Sequence, residues 1–211
     1  PMADGPTIQL ASSRAIKKGV DLKKIFSICN NFRKFNSHTP IILMGYYNII
    51  LHYGLEKFIK SCKINGVDGI IVVDLQPEED PNLLNLLHKT DIKLIRLITP
   101  TTNKDRLKVI LKNASGFLYY VSITGITGQN SANITELEKS IKKIKKYTKL
   151  PIVSGFGIKN SKQVNDVCKI CEGAVVGSSI INIIENNLQD TNKAIISVGK
   201  FVKKLKNGIK K

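Results

Sequence analysis

The chain has 211 residues, with 33 Lys and Arg against 16 Asp and Glu, a net charge of +17 and 42% hydrophobic residues. That length and apolar content fit one folded domain spanning residues 1–211. Its core must be mostly Ile, Leu and Val, since Trp is absent and aromatics make up only 6%. No apolar stretch reaches the roughly 18 residues a membrane span needs, and no signal-peptide pattern opens the chain. The positive charge is mostly Lys spread along the chain; Lys139, Lys142, Lys143, Lys145 and Lys146 fall at helical spacing and read as a solvated helix face. No RNA- or DNA-binding motif accompanies it, which argues against a nucleic-acid partner.

Short apolar runs alternate with amphipathic stretches. The runs are Ile41 to Tyr46, Gly69 to Asp74, Lys93 to Thr99, Gly116 to Ser122, Pro151 to Gly155 and Gly173 to Gly177, rich in Val, Ile and Leu as buried parallel strands are. Helical patterns lie between and after them. Leu55 to Asn65 presents Leu55, Phe58, Ile59 and Cys62; Glu78 to Lys89 presents Leu83, Leu84, Leu86 and Leu87. Thr135 to Tyr147 presents Leu137, Ile141 and Ile144, and Asn160 to Cys171 presents Val164, Val167 and Ile170. The last helix, Thr191 to Lys206, presents Ile195, Val198, Phe201, Val202 and Leu205.

Strand followed by helix, repeated, predicts an α/β fold with parallel strands and right-handed crossovers. An open doubly wound sheet often carries a Gly-rich turn after its first strand, and none occurs here. The glycine turns instead follow the last two strands, at Gly155-Phe156-Gly157 and Gly177-Ser178, where a (β/α)8 barrel commonly builds a phosphate site with a short extra helix. Ser178 to Glu185 is predicted as that helix. The expected architecture is a TIM barrel with about six of its eight strands present.

Several segments bear on chemistry. Pro1 to Gln9 is a loop running into a helix; Asp4 within it is either a substrate-facing carboxylate or a cap, and chemistry alone favours the cap. Asp74 ends a strand and stays open between an active-face and a structural role, while Glu78 and Glu79 suit the dipole of a following helix. Tyr119 to Gln129 leaves a strand for a long polar loop, read as functional over a plain flexible connection. In the two glycine turns, backbone N–H groups can approach a phosphate, helped by a helix N-terminus. The four cysteines are Cys29, Cys62, Cys168 and Cys171; the last two form a lone C-x-x-C without a second pair or nearby His and read as ordinary buried thiols, and a reducing cytoplasm is the natural setting. His38, His52 and His88 share no spacing and read as incidental.

At this point the residues resemble a known family. Pro1-Met2-Ala3-Asp4-Gly5-Pro6-Thr7-Ile8-Gln9 is similar to the second-loop signature of the tryptophan synthase α chain. Leu43 to Asn48 resembles its third strand, Gly66 to Asp74 its fourth, Gly125-Ile126-Thr127-Gly128 its sixth loop, Gly155 to Ile158 its seventh and Gly173 to Ser178 its eighth, in family order over nearly the whole chain. The resemblance implies a lyase of tryptophan, and hence aromatic amino-acid, biosynthesis: retro-aldol cleavage of indole-3-glycerol phosphate to indole and glyceraldehyde 3-phosphate. It implies no metal or organic cofactor in this chain. The partner would be a β subunit that holds pyridoxal phosphate and receives indole through a tunnel, in an α2β2 heterotetramer located in the cytoplasm or in an organelle stroma.

By the same carry-over, Asp4 is the catalytic carboxylate that accepts the indole N–H. Thr127 holds Asp4 as the sixth loop closes, and Tyr119 lines the pocket. Ile8, Met44, Ile71, Val73, Leu97 and Val175 form the apolar slot for indole. Gly128, Gly155, Phe156, Gly157, Gly177 and Ser178 surround the phosphate, mainly through backbone N–H groups.

One departure stands out. The family's second catalytic carboxylate, a glutamate at the end of the second strand, is not in this sequence, and no Glu replaces it by motif. The expectation is a fragment lacking the first strand, first helix and second strand, close to inactive by itself because general acid–base help is worth roughly 10²–10⁴-fold. Three alternatives are weighed: another phosphate-binding barrel isomerase, which leaves the Asp4 signature unexplained; a non-catalytic regulator of the β subunit; and a basic nucleic-acid binder.

Overall fold

The computed structural model describes residues 4–79, 81–122, 130–155 and 157–209. All six apolar runs become strands, and the third is divided in two. The strands are β1 (Ile42–Gly45), β2 (Gly69–Val72), β3 (Lys93–Leu94), β4 (Arg96–Ile98), β5 (Leu118–Val121), β6 (Ile152–Gly155) and β7 (Gly173–Ala174). The helices are α1 (Pro6–Lys17), α2 (Leu22–Arg33), α3 (Tyr47–Tyr53), α4 (Leu55–Ile64), α5 (Pro81–Leu87), α6 (Lys104–Lys112), α7 (Asn130–Lys145), α8 (Ser161–Cys168), α9 (Ser178–Glu185) and α10 (Thr191–Asn207). The short helix expected at Ser178 to Glu185 is present with those bounds. By contact the chain divides into two compact units, one holding 12–97 and 104–117, the other 4–11, 98–103 and 118–209 of the described residues.

In the first unit β1, β2 and β3 form a parallel sheet in that order, with Met44 opposite Ile71 and Gly69 opposite Lys93. Every residue of β2 is buried, as a parallel strand covered on both faces must be. Ile70, Val72 and Leu94 pack with Phe26 and Cys29 of α2, Phe58, Ile59 and Cys62 of α4, and Leu83 and Leu87 of α5. Side chains alternate along a strand, so Ile71, buried outside this cluster, lies on the opposite sheet face. Each such large apolar side chain contributes about 1.5–3 kcal/mol when fully buried. The run at Lys93 to Thr99 divides at Ile95. Its N–H still reaches the Ile70 carbonyl at 3.0 Å, whereas Arg96–Ile98 belongs to the other sheet.

The strand starts of this unit are fastened by Arg33 at the end of α2. Its guanidinium donates to the Gly66 carbonyl at 2.8 Å, the Thr39 carbonyl at 2.8 Å and the Asp68 carboxylate. Asp68 also accepts the Ile41 N–H at 2.6 Å, so one ion pair sets where β1 and β2 begin. Gly66 takes φ +70°, and a Cβ there would meet Arg33 Cγ at 2.8 Å, so glycine is required twice over.

In the second unit β5, β6 and β7 form a parallel sheet in that order; Tyr119 stands opposite Val153, Val121 opposite Gly155, and Ser154 opposite Ala174. Leu118, Tyr120 and Ile152 are buried, as are Leu137, Ile141 and Ile144 of α7 and Val164 and Val167 of α8. Asn160 caps α8 by accepting the Gln163 N–H at 2.9 Å, and Asp190 caps α10 by accepting that of Lys193 at 2.9 Å. The apolar face expected on the last helix is turned: Ala194 and Leu205 are buried, whereas Ile195 and Val202 are exposed. The covered ridge is Ala194, Val198, Phe201 and Leu205, spaced as 3.6 residues per turn requires. Glu78 and Glu79 sit at a helix start, though of a shorter helix than the α-helix that follows. They fall in the first turn of a 3-10 helix at Pro77–Glu79 that precedes α5, and Glu78 pairs with Arg106 as well.

Candidate functional site

Parallel α/β folds place ligands at the carboxyl ends of their strands. In the second unit those ends present β5 with Tyr119, β6 closing on Gly155, and the segment after β7 from Val175 to Ser178. Gly155 abuts the next crossover: a Cβ there would strike the Val175 carbonyl oxygen and come within 2.6 Å of Val175 Cβ. Gly157 takes φ +67°, turning the backbone out of the strand. Gly177 precedes α9 with no side chain to cap it, and its carbonyl accepts from Ile180 at 2.9 Å and Ile181 at 3.2 Å. The N–H groups of Ser178 and Ser179, in the first turn, have no partner within the helix. Gly157, Gly177 and Ser178 are exposed at this end. Backbone N–H groups at an exposed helix start, with the positive end of the helix behind them, suit an anion.

Asp4 belongs to the same unit, just before α1. Its carbonyl accepts the Gln9 side-chain amide at 2.7 Å, and the Gly5 carbonyl accepts the Ile8 and Gln9 N–H groups at 3.1 Å, so the loop closes tightly onto the helix. Burial pushes the Tyr119 hydroxyl above its ordinary pKa, and the Asp4 charge pushes it further in the same direction. Asp4 and Tyr119 therefore share one electrostatic environment, and Ile8 is half-buried one turn along.

Of the residues expected from the sequence, the second unit thus holds Asp4, Ile8, Tyr119, Gly155, Gly157, Val175, Gly177 and Ser178. The first unit holds Met44, Ile71, Val73 and Leu97. Met44 and Ile71 are register partners, and the Val73 N–H donates to the Gly45 carbonyl at 3.0 Å, so these three sit at adjoining strand ends. Thr127, Gly128 and Phe156 lie outside the described residues.

Asp74 is exposed and accepts the N–H of Tyr47, the first residue of α3, at 2.8 Å. This is a bond of a helix N-terminus, supporting the structural side of the two roles left open. Arg106 binds the Glu78 carboxylate and the Gln76 side-chain oxygen. Its own backbone N–H and then Arg106 hold Glu78 below the ordinary carboxylate range. Two groups passed unnoticed in the sequence. One is Arg106, which no spacing links to the strand end. The other is Ser179, whose hydroxyl donates to the Ile158 carbonyl at 2.7 Å and whose only signal was a second serine after Gly177. Among the described residues, no group of three His, Cys, Asp or Glu could hold a metal ion, and no helix is long and apolar enough to cross a membrane.

The alternation of parallel strands and helices, with glycine turns at the ends of the final strands, defines a protein of the (β/α)-barrel class. Solved structures agree: a tryptophan synthase α subunit from Legionella pneumophila str. Paris is 33% identical with TM-score 0.89, over 99% of this chain and 77% of that one. The tryptophan synthase α2β2 complex from Pyrococcus furiosus, described for its mutual activation, gives 35% identity and TM-score 0.88 over 98% and 82%. The isolated subunit of that hyperthermophile gives 34% and 0.86 over 98% and 82%. The family model described as tryptophan synthase alpha chain matches residues 1–210, and the chain belongs to that family. Its role is that of an alpha subunit, an enzyme of tryptophan biosynthesis. The isomerase alternative is thereby set aside.

Proposed function

We propose that this chain acts on indole-3-glycerol phosphate as a lyase, cleaving the bond between indole C3 and the glycerol phosphate side chain. The observation that supports the reading is that the Asp4 charge acts on Tyr119, within the unit that also holds the exposed residues Gly157 and Ser178 at its strand ends. The phosphate would rest on their backbone N–H groups and the positive end of α9. The indole would face Ile8 and Val175 of the same unit.

Protonation at C3 places positive charge on the ring nitrogen. Asp4, accepting the ring N–H, stabilises that charge; a hydrogen bond to a charged group contributes about 1.5–3 kcal/mol. Loss of the proton from the adjacent side-chain hydroxyl then breaks the C–C bond. Its electron pair returns to the ring, and the hydroxyl carbon becomes the aldehyde of glyceraldehyde 3-phosphate. The acid–base group that gives the C3 proton and takes the hydroxyl proton would be a glutamate, as the family resemblance implies; Glu78, held by Arg106, and Glu172, held by Lys145 and the Ile152 N–H, do not match its position. A second reading, a regulator of a β subunit without chemistry of its own, draws on that observation. It requires stimulation of the β reaction with no indole released.

The partner proposed is a tryptophan synthase β subunit, in an α2β2 assembly such as the one solved from Pyrococcus furiosus. Pyridoxal phosphate is assigned to that partner and not to this chain. The location proposed is the cytoplasm, or the stroma of a plastid. The test is a binding titration. Wild-type protein should bind indole-3-glycerol phosphate more tightly than glyceraldehyde 3-phosphate. Asp4→Asn should lose most of that difference while keeping its affinity for glyceraldehyde 3-phosphate. Equal binding of both phosphates by the wild type would end the indole reading.

A further inference from the structure

We propose that Ser179 is a positioning residue for the phosphate: its hydroxyl clamps the turn after β6 to the first turn of α9, so that the two sets of N–H groups face one ligand. The inference rests on the phosphate reading above and extends it to a residue outside the expected set.

The two serines after Gly177 look equivalent in sequence, and the structure separates them. Ser178 is exposed at the start of α9. Ser179 is half-buried and donates its hydroxyl hydrogen to the Ile158 carbonyl at 2.7 Å, across 21 residues of chain. With that hydrogen committed, the side chain works through geometry, while its N–H stays in the unpartnered first turn of the helix.

The Ile158 end is equally fixed. The Ile158 side chain is only 2% exposed. The next N–H, that of Lys159, donates to Gln163 Oε1 at 2.7 Å, and Asn160 caps α8. The segment that carries Gly157 is thus anchored to α8 on one side and to α9 through Ser179 on the other. At their bases the same two crossovers meet where Gly155 abuts Val175. The Ser179 bond is a second tie between them, nearer the exposed end. Gly177 offers no side-chain cap that could do this work. Without the Ser179 hydroxyl, the first turn of α9 and the Gly157 turn would move apart, each keeping its own N–H groups but no longer at one spacing.

The experiment compares the full chain with Ser179→Ala and Ser179→Thr, measuring affinity for inorganic phosphate, indole-3-glycerol phosphate and free indole by calorimetry. Hydrogen exchange over 157–160 and 178–181 is followed in parallel. Loss of one hydrogen bond that aligns donors predicts roughly three- to tenfold weaker binding of both phosphate-bearing probes by Ser179→Ala. Free indole should bind unchanged, exchange should rise in both segments, and Ser179→Thr should recover the wild-type values. Where turnover is measurable, KM should rise with little change in kcat. Ser179→Ala with wild-type phosphate affinity would overturn the inference, as would an equal loss for free indole, which marks general loosening. A wild-type protein that binds neither phosphate nor indole-3-glycerol phosphate would remove the phosphate reading itself, and the inference with it.

Discussion

Glu172, between α8 and β7, offers a quantitative test of how the second unit is held. One carboxylate oxygen accepts the Ile152 N–H at 2.6 Å at the start of β6, and the other meets Lys145 Nζ at 2.6 Å at the end of α7. Burial pushes the carboxyl pKa up, but the Ile152 N–H and the Lys145 ammonium outweigh it and hold the group below the ordinary range. Glu172→Ala removes both bonds. The backbone bond to a charged acceptor contributes about 1.5–3 kcal/mol when shielded, and the solvent-facing ion pair about 0–1 kcal/mol. The Glu172 side chain is 47% exposed, so water replaces part of what is lost. The expected destabilisation is therefore about 1–2 kcal/mol. Glu172→Gln keeps an acceptor for Ile152 and should lose less, about 0.5–1 kcal/mol. Because the folded pKa is depressed, the stabilisation is full above the unfolded value of about 4.3 and is lost as pH falls through the folded pKa. Urea unfolding followed by far-UV circular dichroism at pH 7 and near pH 3 reads all three proteins. The difference between wild type and Glu172→Ala should shrink at low pH. Equal stability of the two at pH 7, or a Gln variant as weak as the Ala variant, would refute the argument.

Two further outcomes follow from the site. Asp4→Asn removes one of the two causes that raise Tyr119, so its phenol should titrate at lower pH in ultraviolet absorbance while burial keeps it above the ordinary value; a titration identical to wild type would separate the two residues. Gly155→Ala places a methyl group against the Val175 backbone, and overpacking of this kind costs about 1–3 kcal/mol. Its urea midpoint should fall, with phosphate affinity falling alongside, and an unchanged midpoint would contradict the close approach of these crossovers.

The legible parts of the fold are those where burial on both faces imposes an apolar run. Gly69 to Val72 is fully covered, and its four residues read as a strand for that reason. The division of the third run at Ile95 was not legible, because Leu94 and Arg96 belong to one continuous stretch and differ only in which sheet they join. The last helix misled because Ile195 and Ile196 outweigh Ala194 in any hydrophobic pattern, although the small Ala194 faces inward. The turns at Gly155 and Gly157 were legible as glycine positions, since a close backbone approach and a positive φ are local requirements. Asp74 could not be assigned in advance: a carboxylate at a strand end can face a substrate or a helix N-terminus, and its bond to Tyr47 depends on how β1 lies beside β2. Ser179 escaped for a similar reason, its acceptor being 21 residues away in a different crossover.

A crystal structure of the chain with indole-3-glycerol phosphate bound tests the central claim most directly. The account predicts phosphate oxygens within hydrogen-bond distance of the Gly157 and Ser178 N–H groups and the indole N–H on the Asp4 carboxylate. A ligand whose phosphate sits elsewhere, or whose ring nitrogen faces away from Asp4, would contradict it.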